Sequence, residues 1–265
     1  VCYDKSGSVI SAKTVCCKAQ DLGFGGIANI TGAYTSVHLD VRTGSRYYGD
    51  ETKGTNTVTS DFYSYFGIAK AQQPSGIVAK GIDVSRHQGV INWEKVKASG
   101  QVDFAILRAG FGKESSQIDV QFERNYSECK RLGIPCGAYW YSYANSVERG
   151  EQEARTCLKV LEGKSFELPI FFDQEDEKSI LALSNQKRTD IVLKFLETVK
   201  GAGRKVGLYS STNFITTKLQ ANRLTAYPLW LAEYGSKLHY TGKVWAWQYT
   251  SKGRVAGIRG NVDCN

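Results

Sequence analysis

The chain has 265 residues, of which 42% are hydrophobic and 23% charged, with a formal net charge of +8. This composition suits a globular protein with enough chain for a sizeable core and one or two domains, and no apolar run reaches the roughly 18 residues that a membrane helix needs. The basic excess suits a polyanion such as nucleic acid or a bacterial wall, but no basic block or nucleic-acid motif occurs, so neither a nucleic-acid nor a membrane partner is expected.

Residues 1–70 are rich in Gly, Ser, Thr and Tyr. Within them, 11–22 reads as one short helix with Val15, Ala19 and Leu22 on a face, and the remainder as short strands and turns. This is a small α+β module. Residues 71–80 carry Pro74 and Gly76 and show no period, which marks a linker.

From residue 81 to 265 the texture changes to strand, helix, strand, helix. Apolar runs of strand length occupy 81–84, 104–108, 134–143, 168–172 and 205–209. Helical patterns lie between them at 92–98, 119–132, 147–161 and 184–202. Connections of that length allow crossovers, so the strands are expected to be parallel. Three further strands, at 229–232, 244–249 and 255–261, follow with little room for helices. The expected fold class is therefore α/β, an irregular barrel with five helix-bearing strands and three nearly bare ones, of the (β/α)5(β)3 kind.

The seven cysteines are Cys2, Cys16, Cys17, Cys129, Cys136, Cys157 and Cys264. They form no C-x-x-C pair, which argues against a zinc ribbon or a thioredoxin site. They are read as an extracellular disulfide set with one thiol left over; the alternative is a scatter of buried free thiols. The chain begins at Val1 and contains no Met, which fits a mature, secreted product whose leader has been removed. Two N-x-S/T sequons, at Asn29 and Asn125, are candidate glycan sites.

In a parallel barrel, reactive groups sit at the C-terminal ends of the strands. Those ends supply Asp83, then Asp173 and Glu175, then Asp263. Around them come Tyr139 and Tyr141, Tyr209, Glu233 and Tyr234, and the aromatics Trp245, Trp247 and Tyr249. Cleavage of a glycosidic bond needs one carboxylic acid to protonate the leaving oxygen and a second carboxylate to answer the charge at the anomeric carbon. Asp173 and Glu175 share a strand face, and crowded carboxylates do not all ionise, so one keeps its proton near neutral pH. Aromatic faces are platforms for sugar rings. Each feature has a plainer reading: residues 173–177 as a solvated acidic loop, Asp83 as a helix cap, Trp93 and Trp140 as barrel packing, His87 as a structural hydrogen bonder. No cofactor is called for. Three His, at 38, 87 and 239, make a multi-His metal site unexpected, and an aromatic surround serves no purpose for Ca²⁺ or Mg²⁺ on the acids.

Gly81-Ile-Asp83-Val-Ser-Arg-His-Gln-Gly89, followed by Ile91-Asn-Trp93, resembles the opening of glycoside hydrolase family 25, the Chalaropsis-type lysozymes or N-acetylmuramidases. Residues 104–109, 133–139, Leu168-Pro-Ile-Phe-Phe-Asp173-Gln-Glu175 with its D-x-E signature, 229–234, 247–251 and 257–263 resemble later motifs of that family in order. The resemblance covers 81–265. It implies hydrolysis of the β-1,4 bond from N-acetylmuramic acid to N-acetylglucosamine in bacterial peptidoglycan, by a secreted protein or one in a lysosome-like digestive compartment. It implies Glu175 as general acid with Asp83, Asp173 and Asp263 as acidic neighbours. Tyr139, Tyr141, Tyr209, Trp230, Tyr234, Trp247 and Gln248 are the expected substrate-binding residues, and a monomer is expected. A disulfide through Cys264 would hold Asp263 in place. Two other readings use the same barrel, a non-catalytic carbohydrate binder and a chitin-type glycosidase. The resemblance says nothing about residues 1–80, which read equally as a wall-binding module or a structural appendage.

Overall fold

A computed structural model describes residues 6–21, 26–29, 37–40, 47–50 and 79–265. The chain forms two compact units, Val1–Gln73 with Thr241–Lys243, and Pro74–Tyr240 with Val244–Asn265. Most of the stretch expected as a linker, 71–78, lies outside the described residues.

In the first unit, helix α1 (Ala12–Asp21) accompanies strands β1 (Gly26–Asn29), β2 (Val37–Asp40) and β3 (Tyr47–Asp50). The strand order is β2-β1-β3, antiparallel between β1 and β2 and parallel between β1 and β3. The buried stripe of α1 is Ala12, Cys16 and Ala19, at i, i+4 and i+7. Val15, expected on that face, is only half-buried, and Leu22 lies outside the described residues.

The second unit runs β4 (Gly81–Val84), α2 (Trp93–Ala98), β5 (Phe104–Phe111), α3 (Phe122–Arg131), β6 (Cys136–Tyr141), α4 (Val147–Val160), β7 (Ile170–Asp173), the one-turn α5 (Lys178–Leu181), α6 (Asn185–Gly201), β8 (Val206–Ser211), α7 (Thr212–Thr217), β9 (Leu229–Ala232), β10 (Ala246–Gln248), β11 (Thr250–Gly253) and β12 (Val262–Cys264). The helices start where the sequence offers caps. Asn92, Ser146, Ser184 and Ser211 each accept a backbone N–H from the first turn of α2, α4, α6 and α7.

The nine strands pair in the order β10-β9-β8-β7-β6-β5-β4-β12-β11. From β4 to β10 every pairing is parallel. Only Tyr249 separates β10 from β11, so the two ends of the strand order are continuous along the chain and the sheet is a nearly closed barrel. The expectation of parallel strands fails at the end. The strand expected at 255–261 is instead a turn, and β11 and β12 pair antiparallel to each other, as β12 does with β4. The short connection 254–261 leaves no length for a crossover, so the chain turns back on itself.

Register separates inside from outside. Partners across the sheet share a face, and alternate residues along a strand change face. Ile106, Phe171, Tyr209, Trp230 and Ala232 pack together inside the barrel, with Phe104, Tyr139 and Ala246 against them. The other parity, including Leu107, Ala138, Trp140, Phe172 and Leu231, packs in the outer layer with the helices. In β7 the split is visible in four letters. Phe171 and Asp173 face in, while Ile170 and Phe172 face out, where the Phe172 ring lies 4.3 Å from that of Phe195 on α6. Gly207 is the partner of Phe171 on β8, and a Cβ there would come within 2.7 Å of the Phe171 ring, so the glycine makes room for it.

The cysteines of this unit are not bridged. Cys129, Cys136, Cys157 and Cys264 are buried free thiols, the thiol of Cys129 hydrogen-bonded to Cys136. They occupy positions in the outer core as small apolar groups, so the expected disulfide set, including a bridge through Cys264, is absent from these four. Asn125 is likewise no glycan site in this fold. It is buried on α3, and its Oδ1 accepts the indole N–H of buried Trp93 at 3.0 Å. Asn125→Ala leaves that N–H unpaired, a cost of about 1–3 kcal/mol. Denaturant unfolding should show that loss, and the mass of the protein from a glycosylating host should show no glycan on Asn125.

Candidate active site

The acids converge at the C-terminal end of the barrel. Asp83 ends the inward row of β4, Asp173 that of β7, and Glu175 follows two residues later. Asp263 arrives from the opposite direction. In the β12–β4 ladder its register partner is Asp83, so both side chains project from the same face of adjacent strands. Asp83 is not a helix cap. Ser85 and Gln88 form the capping box of the short turn 86–88 that follows it.

All four carboxyls hold their protons more tightly than ordinary ones. Burial is the main cause for each. Asp83 is pushed up to about 7, with the Asp263 charge adding to burial and hydrogen bonds from Gln248 and Asn265 opposing it. Asp173 is raised well above the usual carboxylate range by burial, Glu175 and Asp83, against the Arg108 guanidinium. Glu175 is raised by burial, Asp176, Glu177 and Asp263, against a hydrogen bond from Tyr209. Asp263 is raised by burial. Glu175 is only half-buried, whereas Asp173 is buried with its Oδ1 free of any protein hydrogen bond.

The tyrosines enclose this group. Tyr139, Tyr141 and Tyr209 project inward from β6 and β8, and the Tyr141 hydroxyl donates to Glu177 at 2.9 Å. Exposed Tyr234 reaches back from beyond β9, and its hydroxyl donates to Gln248 at 3.2 Å. Tyr143 was not anticipated. It is 43% exposed and stands edge-on to Tyr141 at 5.2 Å and to Phe111 at 6.3 Å, an aromatic rim beside the acids.

Three expected substrate-binding residues do something else. Trp230 is buried inside the barrel below the acids, packed on Tyr139, Phe171 and Tyr209, with its indole N–H bound to Asn265. Gln248 is buried, and its amide bridges Tyr209 and Tyr234 to Asp83. Trp247 has the opposite parity from Gln248. It therefore faces the outer layer, and its indole N–H donates to the backbone oxygen of Glu233 at 2.7 Å. Glu233 itself is a loop clamp. Its carboxylate accepts from Thr212, His239 and the backbone of Tyr240.

Two supports escaped the sequence reading. Arg108 is inward two residues after Ile106, on the strand the reading ended at that very position. Its Nε donates to buried Asp119 at 2.7 Å, and Asp119 also accepts the backbone N–H of Arg86 and Gln121. The strand alternation that selected Asp173 and Glu175 would have found Arg108. Glu153 on α4 is also buried, pushed up to about 7 by burial, and accepts the backbone N–H of Tyr143 at 3.0 Å. It holds the chain that carries the aromatic rim.

The chain matches the family model "Glycosyl hydrolases family 25" over residues 82–258. It is 31% identical over 217 residues to the uncharacterized protein YegX of Escherichia coli O157:H7, covering 78% of this chain and 77% of that one. It is 31% identical to lysozyme M1 of Streptomyces globisporus, covering 70% of this chain and 66% of that one. Among solved structures it is similar to the modular autolysin LytC of Streptococcus pneumoniae, in complex with a synthetic peptidoglycan ligand, at 31% identity and a TM-score of 0.64. That similarity covers 70% of this chain and 46% of LytC, less than half of the autolysin. With a family model over most of the barrel unit and the four acids at the mouth of that barrel, the chain belongs to family 25 of the glycosyl hydrolases.

Proposed function

We propose that this glycoside hydrolase is a secreted muramidase that cleaves the β-1,4 bond between N-acetylmuramic acid and N-acetylglucosamine in bacterial peptidoglycan. The observation that carries the reading is the convergence of Asp83, Asp173, Glu175 and Asp263 at one end of the barrel under a tyrosine wall. The relatives named lysozyme, and the peptidoglycan ligand bound to LytC, support the substrate class.

Glu175 is the proposed general acid. Its raised proton affinity keeps it protonated into the range where the glycan bond must be cut, and its partial exposure leaves it within reach of a substrate oxygen. Asp173 is the proposed second carboxylate. Its buried Oδ1 has no partner in the protein and suits the N–H of a 2-acetamido group. Held that way, the acetamido oxygen attacks the anomeric carbon as Glu175 gives its proton to the leaving oxygen. Water then enters from the vacated side and returns a proton to Glu175. Direct attack by Asp173 is the competing route, and both retain anomeric configuration.

Three outcomes are expected. Glu175→Gln loses most activity, on the order of a hundredfold or more, and Asp173→Asn loses less because an amide still hydrogen-bonds. Activity falls as pH rises through the range where Glu175 loses its proton, giving a bell on the acidic side of neutral. NMR of the first-formed sugar must show retention, and an inverted product would sink both routes. Secondly, Tyr143→Ala should raise KM more than it lowers kcat on soluble wall fragments, since stacking contributes alike in ground and transition states. A kcat loss at constant KM would remove Tyr143 from the binding rim. Thirdly, we assign wall binding to the N-terminal unit. Residues 78–265 alone should cleave soluble fragments while losing more activity on intact walls; an insoluble truncation would make 1–77 part of the barrel's own structure.

A further inference from the structure

Asn265 carries no chemistry of its own, yet its side chain makes one of the two amide contacts with Asp83. Its Nδ2 donates to Oδ2 of Asp83 at 3.0 Å, and its Oδ1 accepts the indole N–H of Trp230 at 2.6 Å. An indole N–H only donates, and so does an amide NH₂. The sequence Trp230 to Asn265 to Asp83 therefore admits a single orientation of the amide, and Oδ2 of Asp83 has to be an acceptor. Gln248 brings a second amide to Asp83 from β10. Its Oε1 accepts the hydroxyls of Tyr209 at 3.0 Å and Tyr234 at 3.2 Å, and its Nε2 donates to the same Oδ2 at 2.9 Å. Trp230, Asn265, Gln248 and Tyr209 are all buried, so water does not compete for these bonds.

Two N–H donors on Oδ2 occupy both of its lone pairs. A proton on Asp83 then has one place to sit, Oδ1. The register partner of Asp83 is Asp263, on the same face of the adjacent strand, and its charge raises the proton affinity of Asp83. The groups around Asp83 are Asp263 and Cys264 of β12, Tyr139 of β6, Asp173 of β7, Tyr209 of β8 and Tyr234 beyond β9. The cation among them, Arg108 of β5, acts on Tyr139 and Asp173.

We propose that Asn265, locked by Trp230, is a positioning residue that keeps Oδ2 of Asp83 a permanent acceptor and confines any proton on Asp83 to Oδ1. The proposal rests on reading the four acids as the catalytic group. Its consequence for the reaction is electrostatic. When Glu175 gives up its proton it becomes a negative charge near Asp263, and a proton on Oδ1 of Asp83 lowers the negative charge that the group must hold. Asn265 tunes the pH at which Asp83 ionises, because its N–H stabilises the ionised form of Asp83.

The test uses the full chain and two variants, Asn265→Ala and Trp230→Phe, the second leaving Asn265 in place but free to rotate its amide. Profiles of kcat/KM against pH on soluble wall fragments should show the acidic limb moved up by about one pH unit in Asn265→Ala, and moved the same way by less in Trp230→Phe. ¹³C-carboxyl NMR of aspartate-labelled protein, with the Asp83 resonance assigned through Asp83→Asn, should show the same upward shift in its titration. In an Asp83→Asn background, Asn265→Ala should remove no further activity. An unshifted Asp83 titration, or losses that multiply in the double variant, would overturn the proposal and leave Asn265 a packing residue. If Asn265→Ala does not fold, the Trp230→Phe titration decides alone. Glu175→Gln, measured alongside, separates the two readings: full activity there defeats the acid assignment whatever Asn265 does.

Discussion

The pairing of β12 with β4 is the contact on which the site depends. Seven parallel strands make an open curved sheet whose first and last members still need a partner. Val262–Cys264 pairs with the first of them, β4, and it does so antiparallel because the chain has only the short turn 254–261 in which to reverse. The same three residues therefore close the sheet and deliver an acid. With a one-residue slip, Asp263 would move to the outer face and Val262 would enter the barrel mouth. The backbone bonds between Gly81 and Asn265, at 3.0 and 2.8 Å in the two directions, lock that register.

Closing the barrel in this way buries charge, and charge is expensive to bury. The protein answers with donors rather than with ion pairs. Asp83 takes two amides. Asp173 takes no protein hydrogen bond on Oδ1, and Arg108, the cation that acts on it, is tied to Asp119. A lysine or arginine paired directly to each acid would be more stabilising but would hold every carboxyl ionised. Amide donors are weaker, and they leave the proton affinities raised. Because these carboxyls bind protons more tightly folded than unfolded, their contribution to stability falls as pH rises through their folded values.

How much of this was legible in the sequence depended on whether two signals agreed. Where a strand was short, apolar and followed by an acid, as in Gly81–Val84 and Ile170–Asp173, alternation placed the acid inside and the neighbours in the outer core. Those are the positions that assembled. At Trp245-Ala-Trp-Gln-Tyr249 the signals conflicted. Large aromatics suggest groove lining, but the inward parity of this strand belongs to Ala246 and Gln248. Trp247 goes outside because apolar surface is available against the outer core. Thr250–Gly253 had no apolar pattern at all, since its strand geometry comes from β12 and not from its own side chains. The cysteines misled for a related reason: a thiol and a small apolar group fill a core equally well, and spacing does not distinguish them.

The site's precision comes from groups that never meet a substrate. Trp230 could have served as a sugar platform, and its aromatic surface instead fills the barrel under three tyrosine and phenylalanine rings. Its single polar atom is spent on orienting Asn265. Gln248 sets its oxygen toward two hydroxyls and its nitrogen toward Asp83. Asn265 is fixed at the end away from the acid by an indole N–H that can only donate, so the end that touches Asp83 has no alternative orientation. Donors fixed in advance cost nothing to reorganise when charge moves, and such groups act most strongly in a water-poor interior. The position of Asp83 is thereby determined by the packed core of the barrel rather than by the loops above it. The loops carry Tyr143 and Tyr234 at the exposed surface.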